Sequence, residues 1–115
     1  MHSTIYKIVT ETAWREAEKV GVFTGAPIDL SDGYIHFSTA GQAKETAARH
    51  FAGQTGLLLV AIDAEKLGSA LKYEPSRGGA LFPHLYTPLK MAAVRWVKPL
   101  PLNAAGDHQF PVMEA

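Results

Sequence analysis

A chain of 115 residues has the length of one compact domain, and 47% hydrophobic with 19% charged residues is ordinary for a folded protein, which argues against a disordered segment. Its 11 basic residues balance 11 acidic ones, so bulk charge offers no footprint for a nucleic-acid backbone or an anionic membrane. Cysteine is absent, which excludes disulfides, thiolate nucleophiles and sulfur-bound zinc.

The N-terminal stretch "MHSTIYKIVTETAW" lacks the apolar centre of a secretory signal, and no apolar run approaches membrane-spanning length. The expected location is therefore the cytoplasm. Residues 4–9 alternate Tyr6 and isoleucine with Lys7 and read as a first strand. Thr12 is positioned to cap a helix over 13–20, with Trp14 and Ala17 on one side and Gly21 as its stop. The segment "GVFTGAPIDLSDG" over 21–33 is rich in glycine and aspartate and reads as a surface loop.

"DGYIHFST", residues 32–39, reads as a strand whose Ile35 and Phe37 share one face. Tyr34, His36 and Ser38 share the other: a phenol, an imidazole and a hydroxyl where a water-facing strand usually carries charge. Thr39 and Gln42 match a capping box, which starts a helix at 39 with Ala43, Ala47 and Phe51 as its buried stripe and Gly53 as its end.

"GLLLVAID" over 56–63 is a short continuous apolar run, the pattern of a strand covered on both faces. Asp63 caps a turn through Leu67, a strand follows over Leu71, Tyr73 and Glu74 with Pro75 as its stop, and a last strand occupies 92–97. The tail from Asn103 reads as loosely held. Strands predominate, two helices lie near the front and strict alternation is missing, so the fold class is α+β.

Two segments carry chemistry. "YIHFS" and "FPHLY" each set a histidine among apolar or aromatic neighbours, with hydroxyl groups two residues away. For either His36 or His84 the competing reading is a core histidine satisfied within the fold. Around the second motif, "EPSRGGALFPHLY" adds Glu74, Arg77 and a Gly78-Gly79 pair. The glycines suit a loop wrapping a ligand and an ordinary turn equally. The Arg77 guanidinium is the natural anion binder, or else a solvated surface group. A metal site from two histidines and Asp32, Asp63 or Glu74 is weakly signalled, because no spacing places two ligands on one element.

With "YKI", the Trp14 helix, "DGYIHFST", "LLLVAID" and "YEPSRGGALFPHLY" in this order, residues 4–98 resemble the small, mostly bacterial proteins catalogued as domain of unknown function 952. The resemblance implies an ADP-ribosyltransferase-like fold, a split and mostly antiparallel sheet with two main helices that cradles NAD, and "YIHFS" is similar to the "HVHLS"-type strand of RNA 2′-phosphotransferases. On it, His36, His84 and Glu74 are the candidate catalytic residues. His36 would hold a ribose or phosphate, and Glu74 would be the acid that meets a ribose hydroxyl. Tyr34, Ser38, Arg77, Phe82 and Tyr86 would contact the ligand, the aromatic rings by stacking and Arg77 at a phosphate.

The implied reaction is cleavage at a ribosyl C1 through an oxocarbenium-like transition state. NAD would be the substrate, and no metal or other cofactor is required. The alternatives are a non-enzymatic small-molecule sensor using the same pocket, and a structural or interaction domain whose histidines only pin the core. Ligand identity, acceptor and oligomeric state stay open at this level.

Overall fold

In the computed structural model, residues 3–115 are described apart from the side chain of Arg77. The architecture is α+β, with the paired strands all antiparallel. Strand β1 (Thr4–Thr10) leads directly into helix α1 (Glu11–Val20). Thr10, not Thr12, is the cap, its hydroxyl accepting from the Ala13 N–H at 3.2 Å, and Gly21 closes the helix at φ 94°. Trp14 is fully buried against Phe23, ring centroids 5.6 Å apart. Phe23 belongs to β2 (Val22–Phe23).

Residues 27–32, expected as loop, form helix α2 (Pro27–Asp32). The glycine and proline that suggested a loop are its boundaries: Pro27 opens the helix with a preset φ and no N–H to satisfy, and Gly33 ends it at φ 87°. The Asp29 carboxylate accepts from the Ala26 N–H at 2.7 Å and ties down the first turn. Strand β3 (Ile35–His36) follows, then helix α3 (Ala43–His50). That helix starts four residues later than the capping-box reading. The Thr39 carbonyl accepts from the N–H groups of both Gln42 and Ala43, making a turn first. Gln42 Oε1 still accepts from the Thr39 N–H, while its amide donates to the Leu81 carbonyl.

Strand β4 (Leu57–Asp63) is the centre of a three-stranded sheet, between β1 and β8 (Val94–Pro99). Its apolar run is unbroken because both faces are covered. Leu58, Val60 and Ile62 join Ile5, Val9, Trp14, Ile35 and Phe37 in one core. Leu57, Leu59 and Ala61 join Tyr6, Ile8, Ala47 and Leu100 in the other. Beyond Asp63, which caps a 3₁₀ segment through the Glu65 N–H, come β5 (Leu71–Pro75) and β6 (Leu81–Leu85). Strands β3, β6 and β5 make a second three-stranded sheet, and β2 pairs with β7 (Leu89–Lys90).

The segment 35–38 joins the two larger sheets. Ile35 and His36 pair with β6, the Phe37 N–H still reaches the Pro83 carbonyl, and Ser38 then exchanges both backbone hydrogen bonds with Tyr6 at 2.8 Å. The polar face read from the sequence is therefore held by two sheets at once. The last strand begins two residues later than expected because Met91–Ala93 make a 3₁₀ turn.

The tail is not loose. Phe110 and Met113 pack on the second core, Tyr6 Oη donates to the Glu114 carbonyl at 2.5 Å, and Ser3 Oγ donates to that of Ala115 at 2.8 Å. The sequence reading missed this because the anchors are isolated side chains without periodicity. Ending the chain after Gln109 should expose this face and lower stability by about 2 kcal/mol, the scale for uncovering one or two apolar side chains. Urea unfolding followed by Trp fluorescence checks this; an unchanged midpoint would mean the tail contributes nothing.

Candidate functional site

Asp29 organises the site. Its side chain is 1% exposed and takes Lys7 Nζ at 2.9 Å, the His36 N–H at 3.0 Å and His36 Nδ1 at 2.6 Å. Lys7, also buried, donates in addition to the His36 carbonyl at 2.8 Å. Burial alone would raise the Asp29 acid, but the hydrogen bond from His36 and the charge of Lys7 outweigh it and bring it down to about 2. For Lys7 burial dominates and lowers its pKa, with Asp29 opposing. The outer nitrogen of His36, Nε2, lies 2.9 Å from Asp32 Oδ2. Both ring nitrogens of His36 are thus occupied by carboxylates.

The β3–β6 register sets His36 directly opposite His84, ring centroids 5.5 Å apart and nearly perpendicular. The two histidine motifs therefore meet as a cross-strand pair, the closest side-chain relation a sheet provides. The Tyr34 ring lies 4.1 Å from His84, 4.7 Å from His36 and 5.3 Å from Tyr86. From β5, Glu74 Oε1 meets His84 Nδ1 at 2.8 Å and accepts from Tyr86 Oη at 2.6 Å. Those hydrogen bonds, from Tyr86 first and His84 second, hold the Glu74 carboxyl below its ordinary value. The same contact pushes Tyr86 up to about 12.

Beside the pair opens a cleft of about 570 Å³ whose lining includes Lys7, His36, Ser38, Thr46, Phe82 and His84. Ser38 Oγ is 2.9 Å from Thr46 Oγ1, so strand and helix α3 are tied at the wall. Tyr34, Glu74 and Tyr86 are not part of that lining; they back the histidines instead. Gly78 and Gly79, at φ 70° and 84°, make the turn between β5 and β6, where the Ser76 N–H reaches the Ala80 carbonyl. The role expected of the Arg77 side chain lies outside the described residues.

Lys7 and Asp29 escaped the sequence reading. A signal for Lys7 was present: it shares a strand face with Ile5 and Val9, both core residues, and a lysine at such a position needs a buried partner. Among the described residues no group of three or more His, Asp or Glu is arranged to hold a metal ion, and no helix is long and apolar enough to cross a membrane.

A cross-strand histidine pair inside the second sheet, two residues from the Ser38–Tyr6 bridge to the first, defines a small α+β domain with a histidine-lined cleft. The chain belongs to the family described as protein of unknown function (DUF952), whose profile matches residues 8–97. It is similar to protein CC0527 from Caulobacter crescentus. The X-ray structure of that protein is 50% identical over 92% of this chain and 93% of that one, with a TM-score of 0.88. The solution NMR structure of CC0527 gives 50% identity, coverage of 93% and 92%, and a TM-score of 0.84. No curated protein matches the chain.

Replacing Asp29→Asn leaves the Lys7 ammonium buried without its counter-charge, and should cost about 3–5 kcal/mol in a urea titration. The same residue sets an acid limit. Its acid is depressed in the fold, so its contribution is complete above the ordinary value of 3.8 and is lost as pH falls towards about 2. Wild-type stability should drop by about 2 kcal/mol through that window from this group. If the Asp29→Asn variant shows the same slope between those pH values, Asp29 does not cause it.

Proposed function

We propose that the cleft beside the His36–His84 pair binds a small nucleotide of the NAD or ADP-ribose class, in a domain of ADP-ribosyltransferase-like fold. The observation that carries this reading is the cross-strand pairing of the two histidines at the edge of a cleft of about 570 Å³. That size suits a small organic ligand. The split antiparallel sheets are in keeping with the fold the family resemblance implies. In this reading Phe82 offers the ligand an aromatic face and Ser38 a hydroxyl. His36, held from below by Asp29, meets a ribose or phosphate oxygen through Nε2 once the partly exposed Asp32 carboxylate gives way, and Tyr34 and Tyr86 buttress the histidines. Arg77 enters this reading as the phosphate partner on the family resemblance alone.

Glycosyl transfer at the ribosyl C1 is the reaction that such a site would perform, with no metal required. A binding protein without turnover is the second reading, and Glu74 favours it: the carboxylate oxygen needed at a ribose hydroxyl already accepts from Tyr86 and faces His84. A cytoplasmic setting fits the absence of cysteine.

Isothermal titration with NAD, ADP-ribose and nicotinamide should show saturable binding of the first two at sub-millimolar concentration. His84→Ala should abolish it while retaining the wild-type circular dichroism. No heat from any of the three at millimolar concentration sinks the nucleotide reading. Chromatography of a NAD incubation then separates enzyme from sensor by release of nicotinamide.

A further inference from the structure

The geometry points to a Glu74–His84 dyad that presents an unprotonated Nε2 to the cleft as the acceptor for a ligand hydroxyl. This rests on the nucleotide reading and deepens it, by naming the group of the ligand that is recognised, a sugar hydroxyl, and the atom that receives it.

Hydrogen-bond inventory fixes the first half. An ionised carboxylate only accepts, so the contact of 2.8 Å between Glu74 Oε1 and His84 Nδ1 puts a proton on Nδ1. Tyr86 Oη donates to the same oxygen at 2.6 Å and holds the carboxylate in place. A neutral imidazole has one N–H, and with it committed to Glu74 the other nitrogen carries a lone pair. The cross-strand register supplies the setting, since β5 places Glu74 opposite Phe82, one same-face position from His84.

The second half comes from what Nε2 lacks. It is buried and has no hydrogen-bond partner among the described residues, whereas both nitrogens of neighbouring His36 face carboxylates. His84 belongs to the cleft lining and Glu74 does not, and Nε2 is the ring nitrogen that Glu74 does not hold. A buried acceptor left unmade is costly, and a donor delivered by a ligand recovers that cost. The hydroxyls of Ser38 and Thr46 and the Phe82 ring around the same cleft suit a sugar carried on a flat base.

The arrangement also suits proton transfer. Moving the hydroxyl proton to Nε2 breaks the ligand O–H bond, forms N–H and leaves the electron pair on oxygen. Glu74 stays ionised and balances the imidazolium. Glu74 is then a positioning residue that acts through His84, where the sequence reading had it touch the ribose itself.

The test is the imidazole tautomer in uniformly ¹⁵N-labelled protein, read by long-range ¹H–¹⁵N correlation. In the wild type His84 should show a protonated Nδ1 and an unprotonated Nε2. In Glu74→Ala, a change at a partly exposed side chain, the proton should move to Nε2, while Tyr86→Phe should keep it on Nδ1. A wild-type ring protonated on Nε2, or an unchanged tautomer in Glu74→Ala, overturns the dyad.

Added ADP-ribose should shift the wild-type Nε2 resonance and bind about tenfold or more weakly to Glu74→Ala, the scale of one lost hydrogen bond. Binding that leaves Nε2 unmoved overturns the acceptor role while sparing the nucleotide pocket. If ADP-ribose fails to bind the wild type, the nucleotide reading falls, and with it the assigned ligand, while the tautomer alone decides the dyad.

Discussion

The buried carboxylate of Asp29 is the constraint that holds the site in place. It belongs to a six-residue helix, yet it reaches the ammonium of Lys7 on the first strand and both the backbone N–H and the ring of His36 on the third. Each partner alone would be strongly destabilising: a lysine among core aliphatics, an aspartate 1% exposed, a helix start without acceptors. Together they satisfy one another, and the geometry that satisfies them also fixes the orientation of His36. Stability and site geometry are therefore one problem here.

Around that hub the fold is organised by strands used on both faces. β4 sends alternate side chains into two cores, and this frees the edge strand β1 to carry Lys7 towards the site while Tyr6 anchors the far side. The segment 35–38 changes partner from β6 to β1 within a few residues. Such a crossing leaves little slack at the residues that face the cleft. His36 is held through its backbone and both ring nitrogens, whereas His84 has its Nδ1 engaged and its Nε2 without a partner among the described residues. This asymmetry distinguishes two histidines whose sequence motifs look alike.

Elements with strong local signals were legible in the chain itself. The unbroken run within 56–63 announced a doubly covered strand, the alternation in "DGYIHFST" assigned Ile35 and Phe37 to the core, and Gly21 marked the end of α1. Elements decided by a distant partner were not. α2 looks like loop until its Asp29 finds Lys7, 22 residues away, and the tail looks free until Phe110 and Met113 meet the second core.

Family, α+β class, central strand and the two histidine motifs could all be read from the linear chain, because each rests on neighbours within a few residues. It took the folded arrangement to establish that His36 and His84 form one cross-strand pair, that Asp29 supports His36, and that Glu74 turns to His84 and Tyr86. Those facts depend on strand register. A shift of one residue would turn the strand side chains among them, His36, Glu74 and His84, to the opposite face, and no local pattern in "YIHFS" or "FPHLY" specifies which residue of the other it must face.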